Sequence, residues 1–166
     1  MTVQGNWLPP LVLLDESGGE WNRYVEKVYE YFKHDFIDHK PIFRGRRLGL
    51  KRHPLSQGKE ATFWHFTSEG PDEPNRIPDL RRCERIRWPR PIIELGDAKG
   101  VKIWTSIRNN ELRIHLWLES EDYLVVLADR GDYLLPWTAY PVTWDHTRRK
   151  LRKDYEACRN AGGSKS

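Results

Sequence analysis

Cysteine is scarce in this chain of 166 residues, with only Cys83 and Cys158 present. Two cysteines cannot build the bridge framework of a small secreted domain, so a reducing cytoplasm is the expected compartment. Long apolar runs are missing too. Trp7-Leu8-Pro9-Pro10-Leu11-Val12-Leu13-Leu14 is too short to span a bilayer and lacks a basic lead-in and a cleavage site, which argues against a membrane role. There is no Cys-x-x-Cys, no His-Glu-x-x-His and no acid pair at two-metal spacing, so no metal is expected. A P-loop, G-x-G-x-x-G and G-x-S-x-G are absent as well, which leaves no phosphate cradle for a cofactor and no serine-nucleophile elbow. Internal repeats and low-complexity blocks do not occur.

Aromatic residues are plentiful: they make up 12% of the chain, with eight tryptophans. The length suits one domain over residues 1–166, with 1–16 read as a loosely ordered arm and 160–166 as a tail. The net charge of +4 hides a marked asymmetry. Acids dominate residues 1–38. Bases dominate 40–60, through Lys40, Arg44, Arg46, Arg47, Lys51, Arg52 and Lys59 against Glu60. A second cluster holds Arg76, Arg81, Arg82, Arg85, Arg87 and Arg90, and a third runs from Arg148 to Lys153. Planar guanidinium groups suit phosphate, so nucleic acid leads as partner class, with a merely solvated surface as the alternative for any single run. The two central clusters are expected on one concave face, with the acidic residues of 19–36 turned away from it.

The clearest structural signal lies between Val101 and Val142. Asn109-Asn110 tolerates positive φ at both positions, which fits a two-residue type I′ hairpin turn. That turn pairs Ile107 with Leu112, Thr105 with Ile114, Ile103 with Leu116 and Val101 with Leu118 on a nearly apolar face. The opposite face pairs Arg108 with Glu111, Ser106 with Arg113, Trp104 with His115 and Lys102 with Trp117. Leu124-Val125-Val126-Leu127-Ala128 is apolar on both sides and reads as a central strand. Pro136 and Pro141 push the following strand to an edge or a bulge. A four-strand antiparallel meander over 101–108, 111–118, 122–129 and 133–142 follows.

Before it, Ser17 and Glu20 have capping-box spacing, and Trp21, Tyr24, Val25, Val28, Tyr31 and Phe32 predict an amphipathic helix over 19–36, packed on one sheet face. Ile42–Leu50 reads as extended, and 52–58 and 69–75 as loops. Ala61–Ser68 reads as a strand. Asp79 caps a short arginine-rich helix that Pro89 and Pro91 stop, with Ile92–Leu95 a short apolar run. Thr143 is a candidate N-cap for a last helix with Trp144, Thr147, Leu151, Tyr155 and Cys158 on one stripe, ended by Gly162-Gly163-Ser164. The fold class is α+β.

Histidines, cations and a Thr/Tyr pair fit one chemistry: RNA cleavage through the 2′-hydroxyl, with a base for its proton, cations for the phosphorane and an acid for the leaving oxygen. An imidazole is the side chain suited to proton transfer near neutrality, which makes His65 the first candidate, although a packed core histidine is an equal reading. His115, opposite Trp104, reads as structural. Thr138 and Tyr140 share a strand face and suit either phosphate contact or packing.

Certain runs resemble a family. Thr62-Phe63-Trp64-His65, Pro78-Asp79-Leu80-Arg81-Arg82-Cys83-Glu84-Arg85-Ile86, Trp88-Pro89-Arg90-Pro91-Ile92-Ile93-Glu94 and Trp137-Thr138-Ala139-Tyr140 resemble the phage and prophage branch of the barnase–EndoU–colicin E5/D–RelE-like (BECR) nuclease fold, over about residues 40–155. The resemblance implies a ribonuclease, in some members a toxin, that leaves 2′,3′-cyclic phosphate ends. It implies His65, Arg82, Arg85, Thr138 and Tyr140 as catalytic. Arg44, Arg46, Arg47, Lys51, Lys59, Arg81 and Arg90 complete the expected RNA contacts. RNA and an antitoxin or immunity protein are the implied partners. The rival readings are a catalytically inert RNA-binding protein and a protein-interaction module.

Overall fold

The computed structural model describes residues 7–70 and 76–161. Its elements run α1 (Trp21–Lys33), β1 (Ile42–Phe43), β2 (Arg46–Arg47), α2 (Ala61–Thr67), β3 (Ser68–Glu69), β4 (Ile77–Pro78), α3 (Leu80–Glu84) and α4 (Pro89–Leu95). Then come β5 (Lys102–Arg108), β6 (Glu111–Leu118), β7 (Tyr123–Asp129), β8 (Leu134–Pro141) and α5 (Asp145–Asn160). The last four strands form an antiparallel sheet in the order β5-β6-β7-β8, the expected α+β meander.

The hairpin register follows from its turn. Asn109 and Asn110 have φ of 53° and 62°, and the ladder runs from Arg108–Glu111 back to Lys102–Trp117 with the expected partners. β7 is buried on both faces from Tyr123 to Ala128. β8 stands at the edge, as its two prolines require, and its register slips between Val126 and Leu127. Thr138 opposes Val126 and Pro136 opposes Leu127, so Trp137 is the extra residue of a bulge.

A strand buried on both sides needs two covers, and the chain supplies them unequally. One face carries Ile114, Leu116, Val125, Leu127 and Ala139 into the main core, shared with Tyr24, Val28, Phe32, Phe63, Phe66 and Ile92. The helix α1 does not lie directly on this face as expected. Its Phe32 meets Phe63 and Phe66 of α2 edge-on at 5.4 and 6.2 Å, so it forms an outer layer over α2 and α3. On the other face Trp104, Trp117, Leu124 and Val126 make a second cluster with Leu151 of α5.

Several local expectations give way. Ala61–Ser68 is the helix α2 rather than a strand: nearly every residue in it is buried, and periodicity cannot tell a fully buried helix from a buried strand. Thr67 Oγ1 donates to Phe63 O one turn back at 2.9 Å, a bond that only a helix allows. Glu20, not Ser17, caps α1, accepting from Arg23 N at 2.9 Å, while Leu14–Ser17 close a 3-10 turn of their own. Pro89 ends the arginine-rich segment by starting α4 at its first position, where a missing N–H costs nothing. Trp144, without a side-chain bond, precedes α5 in place of Thr143.

Asp79 does cap α3, accepting from Arg81 N at 2.9 Å. Residues 7–16 are docked rather than loose. Leu8 and Val12 are buried, Val12 N–H donates to Glu84 O, and Trp88 Nε1 donates to Pro9 O. The expected start of the arm (1–6), most of the loop 69–75 and the glycine stop at 162–164 lie outside the described residues. Among the described residues no helix is long and apolar enough to cross a membrane.

The left-handed turn gives a direct check. Asn110→Val should destabilise the protein by about 1–2 kcal/mol, because a β-branched residue resists positive φ, whereas Asn110→Gly should be tolerated. Urea midpoints of the two variants measure the difference.

Candidate functional site

Four of the five residues expected to be catalytic meet at β8. The bulge leaves the Trp137 carbonyl outside the ladder, and His65 Nδ1–H donates to it at 3.1 Å, which puts a proton on Nδ1. The two rings stand edge to face, 5.4 Å apart. Thr138 Oγ1 donates to the His65 carbonyl at 3.3 Å. Arg82 Nη1 donates to Ser68 O at 2.6 Å and to His65 O at 3.4 Å, and its guanidinium lies 5.1 Å from the Tyr140 ring centre. His65, Arg82, Thr138 and Tyr140 therefore share one junction of α2, α3 and β8. Arg85 stands apart from them. It donates to Arg81 O at 3.1 Å and lies 5.3 Å from the Trp88 ring.

From this junction a cleft of about 1080 Å³ runs between the second sheet face and α5. Leu124, Val126, Thr138 and Tyr140 line it from β7 and β8, His115 and Arg113 from β6, Arg108 from β5, and Lys150, Asp154 and Cys158 from α5. His65 does not line it. Tyr140 feels two cations: Arg82 and Arg108 both favour its phenolate, yet burial outweighs them and pushes its pKa up, so the hydroxyl stays protonated near neutrality. Arg113 stacks on Trp137 at 4.4 Å while bonding Glu111, and Arg108 has no ion-pair partner among the described residues.

The structure brings His115 into this cleft, where sequence reasoning assigned it only a structural place. The register had already paired it with Trp104. What the sequence hid is that α5 roofs this face rather than leaving it to water. The His115 ring lies 12° from parallel with Trp104 at 5.0 Å, and its Nε2 is hydrogen-bonded to Ser106 Oγ at 2.9 Å. Its Nδ1 is buried without a partner among the described residues. Burial holds the imidazole down to about 4. Asp154 opposes that shift, while Arg113, Lys150 and Arg108 add to it.

The expected RNA-contacting cations are mostly engaged elsewhere. Arg44 forms a two-pronged pair with Asp97, and Arg46 does the same with Asp129, holding that carboxyl down to about 2. Lys59 is buried against Glu26 of α1 at 2.6 Å. Arg81 pairs with Glu84, and Arg90 donates to His39 O and faces Glu94. Arg47 is exposed on β2, and the Lys51 backbone bonds Thr62 Oγ1. The acidic helix thus meets one of the basic residues, Lys59, directly instead of lying apart from them all. Among the described residues no three His, Cys, Asp or Glu side chains cluster as a metal site. Comparison with known proteins found no match to any family model, curated protein or solved structure.

The depressed His115 value sets a pH dependence. The unfolded chain takes up the proton near 6.5 and the folded chain only near 4, so the unfolded state gains protons first as pH falls. Stability should be undiminished above about pH 6.5 and drop by about 2–3 kcal/mol between there and pH 4. This part of the acid sensitivity should vanish in His115→Gln, as read from urea unfolding at a series of pH values.

Proposed function

We propose that the chain is a metal-independent endoribonuclease acting on cytoplasmic RNA, with its reaction centre where the cleft meets the β8 junction. The observation that carries this reading is the setting of Tyr140. Its hydroxyl-bearing ring lies under the Arg82 guanidinium, within the field of Arg108 and beside Thr138, although these residues are far apart in the sequence. Two guanidinium groups about one phenol form a pocket for a phosphate whose negative charge grows during reaction.

In this reading a base takes the 2′-hydroxyl proton and the 2′-oxygen bonds to the adjacent phosphorus. The bond from phosphorus to the 5′-oxygen then breaks, and that oxygen receives a proton. The products are a 2′,3′-cyclic phosphate and a 5′-hydroxyl. His65 is the proposed proton-transfer group, its ring oriented by the bond to Trp137 O. Arg82 supplies charge, and Thr138 with Tyr140 orients the phosphate.

A second reading, RNA binding without cleavage, draws on a different observation: Arg82, Thr138 and His65 each hydrogen-bond a backbone carbonyl, which is also what a purely structural clamp would do. Cleavage of total RNA in EDTA decides between the two. Tyr140→Phe and Arg82→Ala should each lower the rate by about 10²–10³ while the circular dichroism spectrum is retained. Full activity in both folded variants would sink the assignment. Dependence on added Mg²⁺ would sink the mechanism, and RNA binding with no cleavage by the wild type would select the second reading.

A further inference from the structure

The second sheet face carries a row of residues at one level: Trp104, His115, Val126 and Thr138, each on the next strand. Two flat rings are followed by a small aliphatic side chain and then a hydroxyl. The Trp104 ring covers one side of the imidazole, and the next residue on the other side of the row is Val126. Neighbouring strands lie about 4.8 Å apart, so the backbones of His115 and Thr138, two strands apart, stand roughly 9–10 Å from each other across Val126. An aromatic ring in contact with both sides needs about 3.5–4 Å on each. The slot opens into the cleft, since His115, Val126 and Thr138 all line it.

Resting on the ribonuclease reading, we propose that this slot receives one unpaired base of single-stranded RNA, stacked on the His115 ring beside the reaction centre. The fixtures around the imidazole suit a platform. Trp104 backs the ring, Ser106 fixes its edge at 2.9 Å, and burial keeps it uncharged through the physiological range. An uncharged ring does not add to the positive charge of Arg108, which remains for a phosphate, whereas Arg113 is paired with Glu111 and Lys150 with Asp154 of α5 in the same space. Stacking tolerates any base, because every base has a π-face. A duplex keeps its bases stacked inside and offers only shape, backbone and groove edges, so none could enter a slot roofed by α5.

The test is binding of a 2′-O-methyl oligoribonucleotide, which cannot be cleaved through its 2′-position, to the full chain in EDTA, as a single strand and as a duplex. The single strand should bind far more tightly. His115→Ala should weaken it by about ten- to a hundred-fold, the usual effect of removing a stacking ring. His115→Phe, which keeps the platform and loses the imidazole nitrogens, should stay within about three-fold of wild type at every pH. Val126→Phe, which fills the slot, should weaken binding as His115→Ala does. Wild-type affinity in folded His115→Ala, a His115→Phe variant as weak as His115→Ala, or equal binding of the duplex would overturn the proposal and leave the ribonuclease reading standing. Failure of wild type to bind any RNA would overturn both.

Discussion

β7 has no solvent face, and the rest of the molecule is arranged around that constraint. A strand apolar on both sides must be sandwiched, yet only one side receives a full helical layer, built from α2, α3 and α4 with α1 outside them. The other side receives α5, which buries one leucine and lies against the sheet through partly exposed side chains. Ion pairs flank that contact, with Arg148 on Asp122 and Arg152 on Glu119. A helix attached in this way covers the tryptophans of the hairpin but does not close down on the whole face. The cleft is the space left between α5 and the far half of a two-sided sheet.

β8 links this architecture to the candidate site. A strand holding Pro136 and Pro141 cannot offer a complete row of donors, so it sits at the edge and slips register. The slip frees one carbonyl, and a buried histidine from a neighbouring helix takes it. Tyr24 does comparable work on the opposite side of the molecule, donating to Val12 O at 2.8 Å and fastening the N-terminal segment to α1.

The sheet was legible in the sequence because its signals are local and redundant. A left-handed Asn pair set one register, and every side chain of the hairpin agreed with it. The helix α2 was not legible, since Phe63, Trp64 and Phe66 carry strand propensity and burial of nearly the whole segment erased its period. Of the candidate site, Thr138 and Tyr140 could be paired because strands alternate, and their meeting with Arg82 and His65 came only with the tertiary arrangement. The basic clusters misled for a physical reason: a run of cations in sequence says nothing about Asp97, Asp129 or Glu26, which lie far off along the chain and neutralise them. His115 was read as structural because a mixed strand face gives no sign of what will be laid over it.

The prolines of β8 also bear on how copies of the protein meet one another. With that margin blunted and flanked by α2, β5 is the margin of the sheet still able to accept another strand, and its Ile107 is 69% exposed. Two copies joining antiparallel about Thr105 would bring Lys102 of each opposite Arg108 of the other, and like charges facing across a ladder repel. Cations at both ends of an open strand are a common guard against edge-to-edge aggregation. The same hairpin that lines the cleft thus helps to keep the protein colloidally stable.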